Sequence, residues 1–233
     1  MTSIVPQTWS ISTIIPTLDE GPGLGGLLAA LAAAGLDDVL VVDGGSGDDT
    51  VAVARAAGAR VLVAPPGRGM QLHAGAAAST GALLFFLHAD TLPPPDCGDI
   101  IRRTLSLPDT AAGAFRLGLD GPGCGLRLLE AGANLRSRLW QLPYGDQGLF
   151  VRRGVYEAAG GFPPWPLLED VELVRRLRHH GRVRLTAEAV RSSARRWQRR
   201  GLLRVTLVHQ LLLAGYFFRV DPARLARLRR RLG

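Results

Sequence analysis

Short apolar runs and segments of helical composition alternate along the first hundred residues. Four of the apolar runs are predicted strands, at 12–16, 39–42, 60–64 and 82–87. The segments between them are predicted helices, at 23–35, from 48 onward and at 70–79. Strands that are apolar throughout and joined by helices of crossover length are typical of a parallel sheet covered on both faces. The pattern therefore predicts an α/β fold with a mainly parallel, Rossmann-like central sheet.

The pattern changes after the proline run at 93–95. Predicted helices follow at 100–105, 126–139, 168–180, 202–218 and 221–232, and extended segments at 114–119 and 147–151. No internal repeat or low-complexity linker divides the chain. We therefore expect one domain over residues 1–233, with a first lobe at about 10–95 and a second lobe at about 96–233.

Acidic side chains follow three of the predicted strands at their carboxyl ends. Asp19 and Glu20 follow the first strand, Asp43 the second, and His88 and Asp90 the fourth. Ligands bind beyond the carboxyl ends of the strands in sheets of this kind, so we expect these side chains to converge. A carboxylate and an imidazole two residues apart can bind Mg²⁺ or Mn²⁺, which would let nucleotide phosphates lie among the acids. The alternative for Asp90 is a helix N-cap.

The second half of the chain carries two further candidate groups. Glu169 and Asp170 lie in the first turn of a predicted helix, where acids complement the helix dipole; a carboxylate aimed into a cleft could instead act as a general base. Arg195 and Arg196 could bind phosphate oxygens, and Trp197 offers a flat apolar platform beside them. The alternative for these arginines is a solvated surface charge.

Charge divides the chain into two unlike halves. The net charge is +8, and all 28 basic residues are arginine. Residues 1–100 carry a net charge of −7 and residues 101–233 a net charge of +15. This division favours a metal-binding first half and an anion-facing second half over a basic surface that binds nucleic acid. Arg68, in a predicted loop, is a candidate phosphate ligand, whereas Arg153, Arg176 and the Arg227–Arg231 cluster are interpreted as solvated charges.

Hydropathy bears on the location of the protein. The sequence has no run of 18 uninterrupted apolar residues, and its first ten residues lack the charged start and apolar stretch of a signal peptide, so a cytoplasmic protein is expected. The apolar segment 202–218, followed by arginines up to Arg231, leaves two alternatives open. It is either a helix buried in the core or in a homodimer contact, or a helix that lies peripherally on the anionic inner membrane surface.

The order of these motifs resembles that of the family 2 glycosyltransferases. The segments that carry the resemblance are 14–20, 42–46, 88–90 and 169–170. The segments 67–68, 144–148, 160–163 and 193–197 resemble a small bacterial branch of that family, named for its association with radical-SAM and selenium-domain proteins. The resemblance covers roughly residues 11–225 and implies a GT-A fold, which is an αβα sandwich with a DxD-type metal site.

The resemblance also implies a reaction and a role for individual residues. The implied reaction is the inverting transfer of one sugar from a nucleotide-diphosphate sugar, most commonly a UDP-sugar, to a hydroxyl of a small-molecule or lipid-linked acceptor, with Mg²⁺ or Mn²⁺ as cofactor. The implied roles are donor binding by Pro16, Thr17, Glu20, Asp43, Gly44, Arg68, His88 and Asp90, metal binding by His88 and Asp90, catalysis by Asp170 as general base beside Glu169, and acceptor or phosphate contacts by Asp146, Gln147, Arg195, Arg196 and Trp197.

The sequence departs from the family pattern at two positions. His88 stands where the first carboxylate of the DxD motif is usual, and Ser193 stands where the Q-x-x-R-W motif of processive relatives has glutamine. The second departure predicts the transfer of a single sugar. A nucleotidyltransferase is the alternative function, but it would need basic residues near 21–26, where the sequence has none. Residues 21–26 also match G-x-G-x-x-G, the pattern of dinucleotide-binding loops. Because the two carboxylates that precede them would repel a pyrophosphate, we interpret these residues as a glycine-rich loop before a helix.

Overall fold

The structure, a computed structural model, describes residues 9–195, 197 and 201–232. Its strands are β1 (Ile11–Thr17), β2 (Val39–Asp43), β3 (Arg60–Val63), β4 (Leu83–Phe86), β5 (Thr91–Leu92), β6 (Thr110–Asp120), β7 (Leu149–Arg152) and β8 (Arg182–Ser193). Its helices are α1 (Gly21–Ala33), α2 (Thr50–Ala56), α3 (Arg68–Ala78), α4 (Cys97–Leu105), α5 (Cys124–Trp140), α6 (Arg153–Ala158), α7 (Glu169–Leu177), α8 (Leu202–Phe217) and α9 (Pro222–Leu232), with a 3₁₀ turn at Gly145–Gln147. The strands form one sheet in the order β3-β2-β1-β4-β7-β6-β8-β5.

The first part of the sheet is parallel. β1 lies between β2 and β4 and pairs in parallel with both, and β3 extends the sheet beyond β2. These strands are rich in β-branched and aromatic residues, and all but the edge strand β3 are largely buried. Thr17 and Asp43, the last residues of β1 and β2, are register partners. The carboxyl ends of the strands therefore meet at one edge of the sheet.

The second part of the sheet mixes strand directions. β7 is antiparallel to both β4 and β6, while β6 and β8 run in parallel along almost their whole length. At the far edge β5 is antiparallel to β8, with Thr91 opposite Ser192. The N–H of Ser193 donates a hydrogen bond to the carbonyl oxygen of Asp90 at 3.1 Å. The segment after β4 is thereby joined to the end of β8.

Two hydrophobic clusters cover the two faces of the sheet. One contains the inward faces of α1 and α4 and the buried rings of Phe85, Phe115 and Phe150. The other contains residues of α3, α6 and α7, with Phe86 and Phe162 in an edge-to-face contact at 4.9 Å between ring centroids. This layered core, which the apolar strands predict, holds the strand ends in fixed positions. Within the described ranges, no helix combines the length and the hydropathy needed to span a membrane.

Several details differ from the sequence-based predictions. Residues 21–26 are not a loop, since α1 begins at Gly21. Arg68 is likewise not in a loop but is the first residue of α3. Arg153 is not a solvated charge, because its guanidinium donates hydrogen bonds to the carbonyl oxygens of Gly81 at 2.8 Å and Ala76 at 3.0 Å. The sequence analysis assigned no element to 182–190, which belongs to β8, the longest strand.

Candidate active site

The carboxylate of Asp43 organises the loop that follows β2. Its Oδ2 accepts hydrogen bonds from the N–H groups of Gly45 at 2.9 Å and Ser46 at 3.0 Å, and its Oδ1 accepts from the hydroxyls of Ser46 at 2.5 Å and Thr17 at 3.4 Å. Burial by itself would raise the pKa of Asp43, yet the hydrogen bonds from Ser46, Gly45 and Thr17 hold that pKa below its ordinary value. Asp43 is therefore ionised, and its hydrogen bonds fix the conformation of the loop at Gly45 and Ser46.

Gln71, which the sequence analysis did not single out, ties the ends of β1 and β2 together. Its buried amide Nε2 donates hydrogen bonds to the carbonyl oxygens of Thr17 at 2.9 Å and Val42 at 2.8 Å. Gly44 lies against this amide, and a Cβ at position 44 would come within 3.1 Å of Nε2. The predicted site residue Pro16 is a half-buried part of β1 that pairs with Val42. A polar residue within the mostly apolar stretch of α3 was the available sequence signal for Gln71.

One cavity brings together side chains from both halves of the chain. The segment after β4 contributes His88 and Asp90, the start of α7 contributes Asp170, and the end of β8 contributes Ser192 and Ser193. The other polar or aromatic residues of its wall are Arg68, Tyr144, Asp146, Trp197, His209 and Arg229. The apolar residues of its wall are Leu167, Leu168, Val171, Leu212 and Leu213. Acids predicted from two distant motifs, 88–90 and 169–170, thus face the same space.

The carboxylate of Asp170 is held by backbone donors at the edge of this cavity. Its Oδ2 accepts a hydrogen bond from the N–H of Gly145 at 2.7 Å, and its Oδ1 accepts from the N–H of Val171 at 2.8 Å. A Cβ at position 145 would lie 2.9 Å from Nε2 of His88 and 3.3 Å from Oδ2 of Asp170, so only glycine allows this approach. Each carboxylate oxygen keeps a second lone pair, which leaves Asp170 able to accept a proton from a ligand.

Glu169 and Arg68 form an ion pair in which Glu169 is buried and Arg68 is half-buried in the cavity wall. Nε of Arg68 lies 2.7 Å from Oε1 of Glu169, whose side chain is only 2% exposed. Burial raises the pKa of Glu169, and the charge of Arg68 opposes that rise; the negative charge of Glu169 in turn raises the pKa of Arg68. Glu169, which the family resemblance places beside the general base Asp170, is not among the residues of the cavity wall. It positions Arg68 instead.

His88 is engaged by the same arginine. Nη1 of Arg68 lies 3.3 Å from Nε2 of His88, and because a guanidinium has only donors, Nε2 must be the acceptor. The lone pair that would bind a metal through Nε2 is therefore directed at Arg68. This leaves Asp90, half-buried in the cavity wall, as the first candidate metal ligand, and His88 as a ligand that must compete with Arg68.

Gln147, which was predicted as an acceptor or phosphate contact, is not among the residues of the cavity wall. Its fully buried amide accepts hydrogen bonds through Oε1 from the hydroxyl of Ser137 at 2.7 Å and the N–H of Tyr144 at 3.2 Å, and Nε2 donates to the carbonyl oxygen of Phe115 at 3.1 Å. Its neighbour Asp146 does line the cavity. Gln147 therefore holds the 3₁₀ turn that presents Asp146.

The segment after β8 reaches toward the end of β1. Nη2 of Arg195 lies 3.9 Å from Oε2 of Glu20, and Trp197 contributes to the cavity wall. Arg196, the third predicted residue of this group, lies outside the described residues. Glu20, which follows β1, and Arg195, which follows β8, thus form a contact between the two halves of the chain.

A buried carboxylate in the first turn of α7, Glu172, attaches α8 to α7. Glu172 accepts hydrogen bonds from the hydroxyl of Tyr216 at 2.5 Å, from Arg175 at 2.9 and 3.0 Å, and from Arg176 at 2.7 Å. Although burial would raise the pKa of Glu172, these donors lower it to about 2. Arg176 is therefore paired, contrary to the prediction of a solvated charge. This cluster, Glu172–Arg175–Arg176–Tyr216, holds the helix that carries His209 and Leu212 against the cavity.

Comparison with known proteins relates part of the chain to one family. Residues 12–117 match the family model described as glycosyl transferase family 2. This segment, less than half of the chain, is similar to the family 2 glycosyltransferases. It runs from β1 into β6 and includes Thr17, Asp43 and Asp90.

Two curated relatives match part of the chain. An uncharacterized glycosyltransferase of Mycobacterium tuberculosis is 39% identical over 92 residues, which is 39% of this chain and 40% of the relative. Glucosyl-3-phosphoglycerate synthase of Mycolicibacterium paratuberculosis is 36% identical over 97 residues, which is 36% of this chain and 30% of that enzyme. The matches therefore span less than half the length of these relatives. They do not bear on the radical-SAM branch.

Solved structures establish the fold. Glucosyl-3-phosphoglycerate synthase from M. tuberculosis, in complex with Mn²⁺, UDP and glucosyl-3-phosphoglycerate, has a TM-score of 0.59 at 21% identity over 82% of this chain and 74% of that chain. A mannosyltransferase from Pyrobaculum calidifontis, in complex with GDP-mannose and Mn²⁺, has a TM-score of 0.65 at 19% identity over 85% of this chain and 63% of that chain. The predicted GT-A fold is confirmed.

Proposed function

We propose that this protein is a single-domain, inverting glycosyltransferase that moves one sugar from a UDP-sugar to an acceptor hydroxyl. The observation that carries the proposal is the shared cavity, in which Asp90 from the segment similar to family 2 faces Asp170 from the second half of the chain. Asp90 is suited to hold a metal ion at the donor diphosphate, and Asp170 is suited to accept a proton from the acceptor hydroxyl. The two lobes are then a donor lobe and an acceptor lobe of one domain.

The donor would lie along the carboxyl ends of β1, β2 and β4. Thr17, Asp43 and Gly44 form the strand ends where the nucleoside would bind, and Glu20, which follows β1, contacts Arg195. UDP is proposed because the glucosyl-3-phosphoglycerate synthase structure contains it and a related synthase is among the curated relatives. GDP is the alternative nucleotide to test, because the mannosyltransferase structure contains GDP-mannose.

The residues present fit a divalent metal that is bound together with the nucleotide. Among the described residues, no three His, Cys, Asp or Glu side chains form a cluster that could hold a metal alone. Mg²⁺ commonly binds through one or two carboxylates together with substrate phosphates and water. Asp90 supplies one such carboxylate, and His88 would add a nitrogen ligand where its Nε2 is released from Arg68. When bound, Mg²⁺ or Mn²⁺ would neutralise charge on the leaving diphosphate. Both metals occur with UDP in the synthase structures.

Asp170 is the proposed general base. Its carboxylate would take the proton from the acceptor hydroxyl while that oxygen forms a bond to the anomeric carbon. The bond between the anomeric carbon and the diphosphate oxygen breaks, and UDP leaves from the opposite face, so the configuration inverts. The fixed hydrogen bonds from Gly145 and Val171 hold the carboxylate in place for this step. Arg68, kept cationic beside Glu169, adds positive charge near the leaving group.

The acceptor would bind between Asp170 and α8. The wall there is made of Leu168, Val171 and Leu212, with His209 and Arg229 adding polar groups. This combination suits an acceptor with both an apolar and a polar part, either a small molecule or a lipid-linked one. The expected cytoplasmic location stays a prediction.

Calorimetric titration tests the donor site directly. UDP and GDP are titrated into the protein with and without Mn²⁺, and the titrations are repeated with Asp90→Ala and with Asp99→Ala as control, since Asp99 is an exposed carboxylate on α4. We expect binding of UDP that requires Mn²⁺, is lost in Asp90→Ala and persists in Asp99→Ala. Failure of both nucleotides to bind in the presence of Mn²⁺ would refute the proposal.

A further inference from the structure

Helix α8 has two opposite apolar faces. Its inner face, with Val205 and Leu212 buried, packs against the cavity wall and the core. Its outer face presents Leu203, Leu207 and Leu211 to solvent, continuing to Phe218 just after the helix. At 100° per residue these four side chains fall within one narrow stripe, because they are spaced by four, four and seven residues. We call these four residues the outer stripe.

The apolar side chains of the outer stripe are largely exposed to solvent. Leu203 is 76% exposed, Leu207 68% and Phe218 83%. The stripe extends over about 22 Å of helix at 1.5 Å per residue. Contiguous exposed apolar surface of this kind marks a contact with a partner or a membrane. We therefore expect the outer stripe to be covered by another surface.

The segment that carries the outer stripe is rich in arginine, and this charge indicates the kind of surface that the stripe contacts. Residues 201–232 contain seven arginines and one aspartate, a net charge of +6. Leu225 and Ala226 pack with Leu212 in one cluster, which fixes α9 beside α8, and exposed arginines of α9 include Arg227 and Arg230. A positively charged, leucine-rich surface is complementary to an anionic lipid headgroup layer with acyl chains beneath it.

We propose that α8 and α9 form a docking surface for an anionic membrane. The outer stripe inserts at the boundary between headgroups and acyl chains, and the arginines of α9 contact lipid phosphates. A second copy of the chain is a poorer occupant, because a two-fold interface would oppose two surfaces of charge +6. This proposal does not rest on the proposed function. If both hold, the inner face of α8 places the acceptor part of the cavity next to the bilayer.

Vesicle flotation tests the proposal on the full chain without any nucleotide or acceptor. Vesicles of phosphatidylcholine alone are compared with vesicles that also contain phosphatidylglycerol, at low and at high salt. We expect the protein to float only with phosphatidylglycerol and mainly at low salt, because the arginine contribution is screened.

Two pairs of variants separate the apolar and the charged contributions. Leu203→Gln/Leu207→Gln should reduce the partition coefficient at least about tenfold, and the matched control Leu128→Gln/Leu135→Gln, at exposed leucines of α5, should not. Arg227→Gln/Arg230→Gln should reduce it about 30-fold, from about 1 kcal/mol per arginine. The control Arg55→Gln/Arg60→Gln, with Arg55 in α2 and Arg60 in β3, should leave it unchanged. All eight positions are at the surface, so folding is retained.

Three outcomes would overturn the proposal. The first is no flotation with phosphatidylglycerol at low salt. The second is equal loss of binding in the α5 control and in the α8 variant, because the surface would then not be that of α8. The third is a dimer in sedimentation velocity that Leu203→Gln/Leu207→Gln dissociates, because a second copy would then occupy the outer stripe.

Discussion

The substitution Glu172→Gln tests how strongly the attachment of α8 to α7 stabilises the protein. The side chain of Glu172 is 6% exposed and accepts hydrogen bonds from Tyr216, Arg175 and Arg176. Its pKa falls from 4.5 to about 2 in the folded protein. Since one pKa unit corresponds to about 1.36 kcal/mol, the ionised carboxylate contributes about 3 kcal/mol to the free energy of unfolding at neutral pH.

The pH dependence of this contribution has a definite sign. The folded pKa of Glu172 lies below the unfolded value, so the stabilisation is complete above about pH 4.5 and is lost as the pH falls toward about 2. Over that window the stability difference between the wild type and Glu172→Gln should shrink by about 1.4 kcal/mol per pH unit. Glutamine keeps the shape of the side chain but replaces one acceptor oxygen with an NH₂ donor, so the variant removes the charge together with the hydrogen bonds that this oxygen accepts.

Urea unfolding at neutral pH and at about pH 3.5 measures both quantities, and hydrogen exchange in α8 reports local release of the helix. The control is Glu157→Gln, because Glu157 is an exposed carboxylate 3.9 Å from Arg153 and its loss should change stability by less than about 0.5 kcal/mol. The reasoning is wrong if Glu172→Gln behaves like the control at neutral pH, with exchange in α8 unchanged. It is also wrong if the difference stays constant on acidification.

Three further substitutions test the cavity. Gly145→Ala places a Cβ 2.9 Å from Nε2 of His88, so UDP-sugar hydrolysis should fall about 10- to 100-fold while the melting temperature changes little; unchanged hydrolysis would show that the turn has no role in positioning. Asp170→Asn should reduce hydrolysis at least about 100-fold and leave Mn²⁺-dependent UDP binding intact, and loss of both would instead indicate a metal ligand. Gln147→Leu should lower the free energy of unfolding by about 2 kcal/mol, measured by urea unfolding, because the N–H of Tyr144 and the carbonyl oxygen of Phe115 lose their buried partner. An unchanged free energy of unfolding would contradict the buried, hydrogen-bonded position of Gln147.

The first half of the fold could be predicted because its signals are local. Each strand of the parallel part is a short apolar run, and its polar end, such as Asp43 or Asp90, follows directly in the sequence. Convergence of these ends then follows from the geometry of a parallel sheet alone. The second half lacks such signals. β8 mixes arginine, threonine, alanine and glutamate, and its burial comes from pairing with β6, more than 60 residues away in sequence.

The site shows the same limit at the level of single residues. The sequence places Glu169 and Asp170 side by side with nothing to separate their roles, and the roles depend on which carboxylate meets Arg68 from α3. The residue immediately before α7, Leu168, adopts a left-handed conformation with φ at 62°. A leucine at such a backbone angle has no sequence signature, so the directions in which the next two side chains point could not be predicted.

The far wall of the cavity is attached to the rest of the fold in an unusual order. The strand ends that carry Thr17, Asp43 and Asp90 are embedded in the sheet, whereas His209, Leu212 and Arg229 all come from helices that follow it. The chain enters α8 through Gly201 and, as far as it is described, does not return to the sheet. The two helices that carry this wall could therefore be exchanged as one segment at Gly201 without a change in the strand ends.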